Sequence, residues 1–324
     1  MSGGDGDDTL TGMNGDDWFK GGANFDTVDY QRELGGTNNI GVYVNLSASA
    51  INAIWLGNYT VIQSYHAIDS FGANDEFNFD IEKVIGSNHH DVMTAAGNAT
   101  QGFFFFGHDG DDVLTGSALA DTLFGGKGVD YIKGGSGSDL IDGLGEIFTF
   151  EESADTLLGE MGDDTISGSA TASIVGGEGN DRLIGGHIYY TDRTYDWIVD
   201  LSANQVLRAD LGEMDTLQNV VAVTTGDGRD TLIAGSVGAF LDAGAGDDVL
   251  RGGAGGDNLI GGSGYDVFYG SGGNDTVDGG VAPGNSGGIL DYSSSVGGIN
   301  ASFSTHIVVK ANGTDIFQNI TNLT

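Results

Sequence analysis

Fifteen aspartates in this chain recur at a spacing suited to holding metal ions. Read in steps of nine from Gly3, the sequence gives GGDGDDTLT, GMNGDDWFK and GGANFDTVD, with Asp8, Asp17 and Asp26 at the sixth position. Four more copies run from 107 to 142 (GHDGDDVLT, GSALADTLF, GGKGVDYIK, GGSGSDLID) and place Asp112, Asp121, Asp130 and Asp139 there. A frayed series from 150 to 184 supplies Asp155, Asp164, Ser173 and, after an eight-residue copy, Asp181. The longest series, 225 to 278, brings Asp230, Ala239, Asp248, Asp257, Asp266 and Asp275 to the same position. The chain has no Cys, so a thiolate site is excluded. A cation would have to be bound through oxygen, which selects a hard ion.

The elements that position these acids follow from the other places in the repeat. Gly at the first, second and fourth positions permits a tight turn with positive φ and brings carbonyls close to one point. An apolar residue at the eighth position, Leu10, Phe19 and Val28 in the first three copies, makes a three-residue strand with one side chain turned inward. Nine residues therefore form one turn and one strand. Two such units return the chain to its starting side, so a coil takes 18 residues and stacks on the next at about 4.8 Å. Sixth-position acids 18 apart become neighbours. A Ca²⁺ between two of them accepts an oxygen from each at about 2.3–2.6 Å, distances that sum to the gap, and turn carbonyls complete about six ligands. The expected same-side pairs are Asp8 with Asp26, Asp112 with Asp130, Asp121 with Asp139, Asp230 with Asp248, Asp248 with Asp266, Asp257 with Asp275 and Asp164 with Asp181.

The tandem pattern GGxGxDxUx, with U apolar, resembles the RTX (repeats-in-toxin) family of hemolysin-type calcium-binding nonapeptide repeats. A flexible Gly-rich linker is the plain alternative, but a linker has no reason to place Leu, Ile, Val or Phe at every ninth residue. The resemblance implies an all-β, right-handed parallel β-roll solenoid with multiple Ca²⁺. It also implies export through a type I secretion apparatus from a calcium-poor cytosol and folding outside the cell, as a secreted, extracellular or cell-surface protein.

Segments between the repeats share a second pattern. The first copy has DTVDY at 26–30, GVYVNLSA at 41–48 and FDIEKVIGSNHHDVM at 79–93. The second has YDWIVDLSA at 195–203 and MDTLQNVVAV at 214–223; the third has LDYSSSVGGINASFS at 290–304 and GTDIFQNITNLT at 313–324. RTX proteins commonly interleave such segments with their rolls, and their alternating apolar residues suit β-rich linking and capping elements that cover strand edges. The expected organisation is a roll block over 1–29, a linking segment over 30–85, partly degenerate roll blocks over 86–185, a linking segment over 186–224, a roll block over 225–280 and a truncated linking segment over 281–324. Both ends fall in mid-pattern, so a piece of a longer secreted protein is expected.

Composition narrows the function classes. With 47 acidic residues against 11 Lys and Arg, the formal charge is −36, which opposes binding to a phosphate backbone or an anionic membrane. Such repulsion also opposes compaction of the bare chain, so a cationic component outside the sequence is expected. No apolar run reaches the roughly 18 residues of a membrane span, and MSGGDGDDTL lacks the basic and apolar regions of a signal peptide.

Rival chemistries are poorly supported. His89-His90 beside Asp91 has no HExxH spacing and reads as turn residues. The GNSGG string at 284–288 matches GxSxG around Ser286, but no strand–turn–helix context surrounds it. The pair Glu151-Glu152 reads as a solvated acidic loop, and Phe103–Phe106, Tyr189-Tyr190 and Trp197 read as packing residues or, alternatively, a glycan- or partner-binding surface. No residues make the chain an enzyme, although a catalytic domain outside it is compatible with the pattern. Two further roles share the calcium sites: a structural or adhesive spacer of a surface layer or large adhesin, which would self-associate, and a polysaccharide-binding accessory module of an extracellular enzyme. The latter needs a basic stripe that Lys20, Lys127, Lys133, Arg182, Arg193, Arg208, Arg229 and Arg251 are too scattered to establish.

Overall fold

In the computed structural model every regular element among the described residues is a β-strand, mostly three to six residues long. The structure describes residues 1–31, 41–47, 50–55, 58–78, 80–95, 101–144, 154–191, 195–208, 212–280, 288–295 and 298–324. The pair Glu151-Glu152 and the string around Ser286 lie outside the described residues. The chain divides into two units, Met1–Asp181 and Arg182–Thr324.

Within the first unit the nine-residue period becomes two parallel sheets facing one another. Val113–Thr115 pairs in parallel with Tyr131–Ser136, and Thr122–Lys127 pairs with Leu140–Asp142, each 18 residues on. Beyond Asp142 the register lengthens: Tyr131 pairs with Thr156 and Leu140 with Thr165, and then Thr156 with Ser173. The stacking tolerates these changes because extra or missing residues are taken up between strands. The inward side chains Leu114, Leu123, Ile132, Ile141, Leu157, Ile166 and Ile174 are all fully buried; because Ile174 pairs with Leu157, Ala172 and not the expected Ser173 takes the sixth place of its copy. Strand neighbours on either side of each point outward, as the two-residue alternation of a strand requires.

The second unit repeats this construction. Thr231–Ile233, Val249–Arg251, Val267–Tyr269 and Gly288–Asp291 stack in parallel. The opposite sheet stacks Ala222–Thr225, Phe240–Asp242, Asn258–Ile260 and Thr276–Asp278. Leu232, Leu241, Leu250, Leu259, Phe268 and Val277 fill the space between them.

The linking segments are β-rich as expected, and the structure shows how they join the rolls: they are spliced into the sheets. Tyr43–Asn45, His66–Ile68 and Asn74–Phe77 form an antiparallel meander. Its last strand runs parallel to Trp18–Ala23 of the preceding coil, and its first runs parallel to Val92–Thr94 of the following one. Trp197–Asp200, Gln205–Arg208 and Met214–Gln218 repeat the device between Arg182–Ile184 and Thr231–Ile233. Asn300–Ser302, Ile307–Lys310 and Gly313–Gln318 form a third meander, its last strand parallel to Thr276–Asp278. Each meander extends the ladder of backbone bonds and leaves no raw sheet edge at the junction with the coil before it.

Candidate metal centres along the aspartate rows

Stacking brings the sixth-position acids into rows. In the first unit the main-chain N–H of Val42 donates to Asp91 Oδ1, that of Asp91 to Asp112, Asp112 to Asp130 and Asp130 to Asp155, at 2.7–3.0 Å. On the other side Phe103 donates to Asp121, Asp121 to Asp139, Asp139 to Asp164 and Asp164 to Asp181, at 2.6–2.9 Å. Asp8 likewise donates to Asp26 at 2.9 Å. The second unit has one row through Trp197, Asp230, Asp248 and Asp266 and another through Ala239, Asp257, Asp275 and Asp315. All seven pairs expected from the spacing are consecutive in these rows. The geometry differs from two bare carboxylates face to face: in each pair Oδ1 of the later acid is held by the amide of the earlier one, and its Oδ2 remains.

What happens to Oδ2 divides the turns into two kinds. In nine acids, Asp8, Asp26, Asp112, Asp130, Asp139, Asp164, Asp230, Asp248 and Asp266, it is buried and meets no hydrogen-bond donor among the described residues. An ionised oxygen in that position is costly unless a cation reaches it. The surroundings suit one. Seven of these oxygens lie beneath the first glycine of their own repeat; a Cβ on Gly125 would stand 2.2 Å from Asp130 Oδ2, whereas the copies of Asp230 and Asp248 begin with Thr225 and Ala243. Where it occurs, that glycine serves close approach and not, as the sequence suggested, positive φ. The second and fourth glycines do need it: Gly126 and Gly128 have φ of 116° and 124°. A Cβ there would stand 1.9 and 1.8 Å from the carbonyl oxygens of His108 and Gly110 in the preceding coil. Turn carbonyls also come near the unpartnered carboxylate oxygens: a Cβ on Gly107 would stand 2.2 Å from Asp112 Oδ2 and 2.5 Å from the Gly125 carbonyl oxygen. Among the described residues no three acidic or imidazole side chains converge. The donor set is therefore paired carboxylates plus backbone carbonyls, all oxygen, which fits Ca²⁺.

Electrostatics point the same way. Burial first, then the charges of row neighbours, pushes Asp248 up to about 8 and Asp130 and Asp139 to about 7, from an ordinary 3.8. Asp112 rises to about 9 through burial and the neighbouring Asp91 and Asp130. Bare rows resist ionisation, and a divalent cation would reverse that resistance.

In the second kind of turn the protein itself satisfies Oδ2. Asp121 Oδ2 accepts the Ser117 N–H at 2.6 Å and its hydroxyl at 3.0 Å. Asp91 Oδ2 accepts the Ser87 N–H at 2.7 Å, Asp257 Oδ2 the Gly253 N–H at 2.8 Å, and Asp275 Oδ2 the Ser271 hydroxyl at 2.9 Å. Three of these four turns begin Gly-Ser. The meanders use a phenol instead: Tyr30 donates to Asp75 Oδ2 at 2.8 Å, Tyr190 to Asp215 Oδ2 at 2.6 Å, and Tyr292 to Asp315 Oδ2.

Asp17 has no sixth-position partner 18 residues on; its amide donates to Asp75 at 3.0 Å. Asp26 donates to Glu82 at 2.8 Å. Asp75 and Asp315 were missed as members of the rows, yet NDEF and TDIFQ, like MDTLQ around Asp215, align on an acid followed two residues later by Phe or Leu. His90 Nδ1 lies 2.9 Å from the Asp111 amide and 3.1 Å from its carbonyl on an exposed turn. Phe103 and Phe105 are buried and stacked, and Tyr190 packs on buried Trp197.

No curated protein matches this chain. A family model described as the RTX calcium-binding nonapeptide repeat (4 copies) matches residues 1–29, 106–141, 151–172, 173–187, 224–259, 236–267 and 251–281. These stretches cover about half the sequence and contain all fifteen aspartates. Carrying that repeat on stacked parallel coils, the chain belongs to the RTX calcium-binding nonapeptide-repeat family.

Proposed function

We propose that this chain is the calcium-dependent folding region of a protein that leaves the cell through a type I secretion apparatus and takes its structure outside, with the sixth-position aspartates as the calcium ligands. The observation that carries this is the set of nine buried carboxylate oxygens without a protein donor in a chain of formal charge −36. Each nine-residue unit buries one apolar side chain, too little to offset the ordering of nine residues. Calcium held between coils would neutralise the rows and convert binding free energy into folding free energy. A calcium-poor interior would then favour the extended chain that export needs, and a calcium-rich exterior the folded one.

We read the chain as a binding and folding module and not an enzyme. A polysaccharide-binding role has little support, because several of the cations are engaged by acids. Lys127 pairs with Asp109 at 3.0 Å, Lys133 with Glu160 at 2.5 Å and buried Arg208 with Glu213 at 2.9 Å. A spacer role in a surface layer or adhesin uses the same sites and would show as calcium-dependent self-association.

The test is far-UV circular dichroism from divalent-free buffer to millimolar Ca²⁺, repeated with Mg²⁺. A cooperative gain of β-structure with Ca²⁺ and not Mg²⁺ is expected, since Mg²⁺ demands a near-octahedral shell and keeps its water. Full β-structure without divalents, indifferent to Ca²⁺, would reject the folding switch.

A further inference from the structure

The two rows of the second unit are chemically unlike. Along Asp230, Asp248 and Asp266 every Oδ2 is buried without a hydrogen-bond donor. Along the opposite row each position is closed by the protein. Ala239 contributes no carboxylate, Gly253 N–H engages Asp257 Oδ2, and Ser271 engages Asp275 Oδ2. At the end of this row Lys310, with its side chain only 3% exposed, places Nζ 3.0 Å from Asp275 Oδ2 and 2.6 Å from Asp315 Oδ1. Tyr292 donates to the remaining Asp315 oxygen. An ammonium bridging two consecutive row aspartates stands where a metal ion would bridge them in the other row.

We propose that residues 225–280 take up calcium along one row only, through Asp230, Asp248 and Asp266, and that the Asp257–Asp275–Asp315 row is metal-independent, with Lys310 as its built-in cation. The proposal rests on the calcium reading above. It removes Asp257 and Asp275 from the ligands that repeat spacing alone assigns. Physically, a row closed by Ser, backbone and Lys donors has no orphaned acceptor for a metal to satisfy, and a fixed ammonium repels an arriving Ca²⁺. The bridge also depends on the third meander, because Lys310 closes Ile307–Lys310 and Asp315 lies in Gly313–Gln318.

The experiment counts Ca²⁺ bound per full-length chain at saturating calcium, by equilibrium dialysis, for the parent and for Asp248→Asn, Asp257→Asn and Lys310→Met. Asp248→Asn should bind at least one calcium fewer, and Asp257→Asn the same number as the parent. A lower count in Asp257→Asn overturns the one-row proposal while leaving calcium binding intact. An unchanged count in Asp248→Asn, or a parent that binds none, overturns the calcium reading itself. Thermal unfolding gives the second readout: Lys310→Met should lose midpoint temperature in calcium just sufficient to fold the parent and recover most of that loss at saturating calcium, as the metal takes the ammonium's place. A loss of the same size under both conditions means that Lys310 is packing and not a counter-cation, and overturns its assignment. If Lys310→Met folds under neither condition, the dialysis counts decide.

Discussion

Asp248 has its two oxygens in different environments, and that asymmetry sets what its substitution does. Oδ1 accepts the Asp230 amide at 2.8 Å, which an Asn side-chain oxygen reproduces. Oδ2 is orphaned, and burial with the flanking charges raises the group to about 8. Asp248→Asn should therefore stabilise the divalent-free chain by about 1–2 kcal/mol, a figure already discounted for solvent screening, and weaken it in calcium. Chemical denaturation in calcium and, without divalents, at about pH 5, where protonated rows favour the folded chain, checks the reversal of sign; destabilisation under both conditions would contradict it. Gly125→Ala tests another open turn, in the first unit, since its Cβ would stand 2.2 Å from Asp130 Oδ2. A loss of about 2–4 kcal/mol is expected where neither backbone nor a shared carboxylate can move aside. Gly298, with nothing near a built Cβ, is the control and should tolerate Ala within about 0.5 kcal/mol.

The meanders are where the sequence was legible in part. Alternation over Val42, Val44 and Leu46 marked a half-buried strand, and the strand Tyr43–Asn45 lies there. The nonapeptide strands were legible because the inward residue falls at a fixed place in every copy. Splicing of the meanders into the parallel sheets was not, because which strand pairs with which coil depends on register between segments far apart in the chain, as with Trp18 and Glu76. The division into open and closed turns was half legible: Gly-Ser at the start of the copies with Asp121 and Asp275 signals a hydroxyl for Oδ2, whereas Gly253 engages Asp257 by backbone alone. The Tyr–Asp pair recurring in all three meanders gives a prediction at this scale. Tyr292→Phe removes the donor to a buried carboxylate oxygen of Asp315, and an unmade bond of this kind costs about 1–3 kcal/mol. The same cost should appear in Tyr30→Phe, by thermal unfolding, at low and at saturating calcium, because no metal site is involved; dependence on calcium would place these phenols in the metal shell instead.

For the whole molecule, the raised carboxyls fix a pH dependence whose sign changes with calcium. In divalent-free buffer Asp248 titrates near 8, Asp130 and Asp139 near 7 and Asp266 near 6 when folded, against an ordinary 3.8. Between roughly pH 4 and pH 8 the folded chain therefore holds more protons than the unfolded one, so its stability is highest at the acid end and is lost as pH rises through the folded values. Protons neutralise the rows there as calcium would. Metal binding requires the ionised form, so protons compete with calcium and apparent calcium affinity rises with pH over the same window. Dichroism of divalent-free chain at about pH 5 and pH 8 should show more β-structure at the lower pH. Calcium titrations at about pH 6 and pH 8 should show a lower midpoint at the higher pH. If β-structure without divalents instead grew with pH, the row carboxylates would have to be ionised and stabilised by groups within the chain. That result would remove the electrostatic reason for assigning the open turns to calcium.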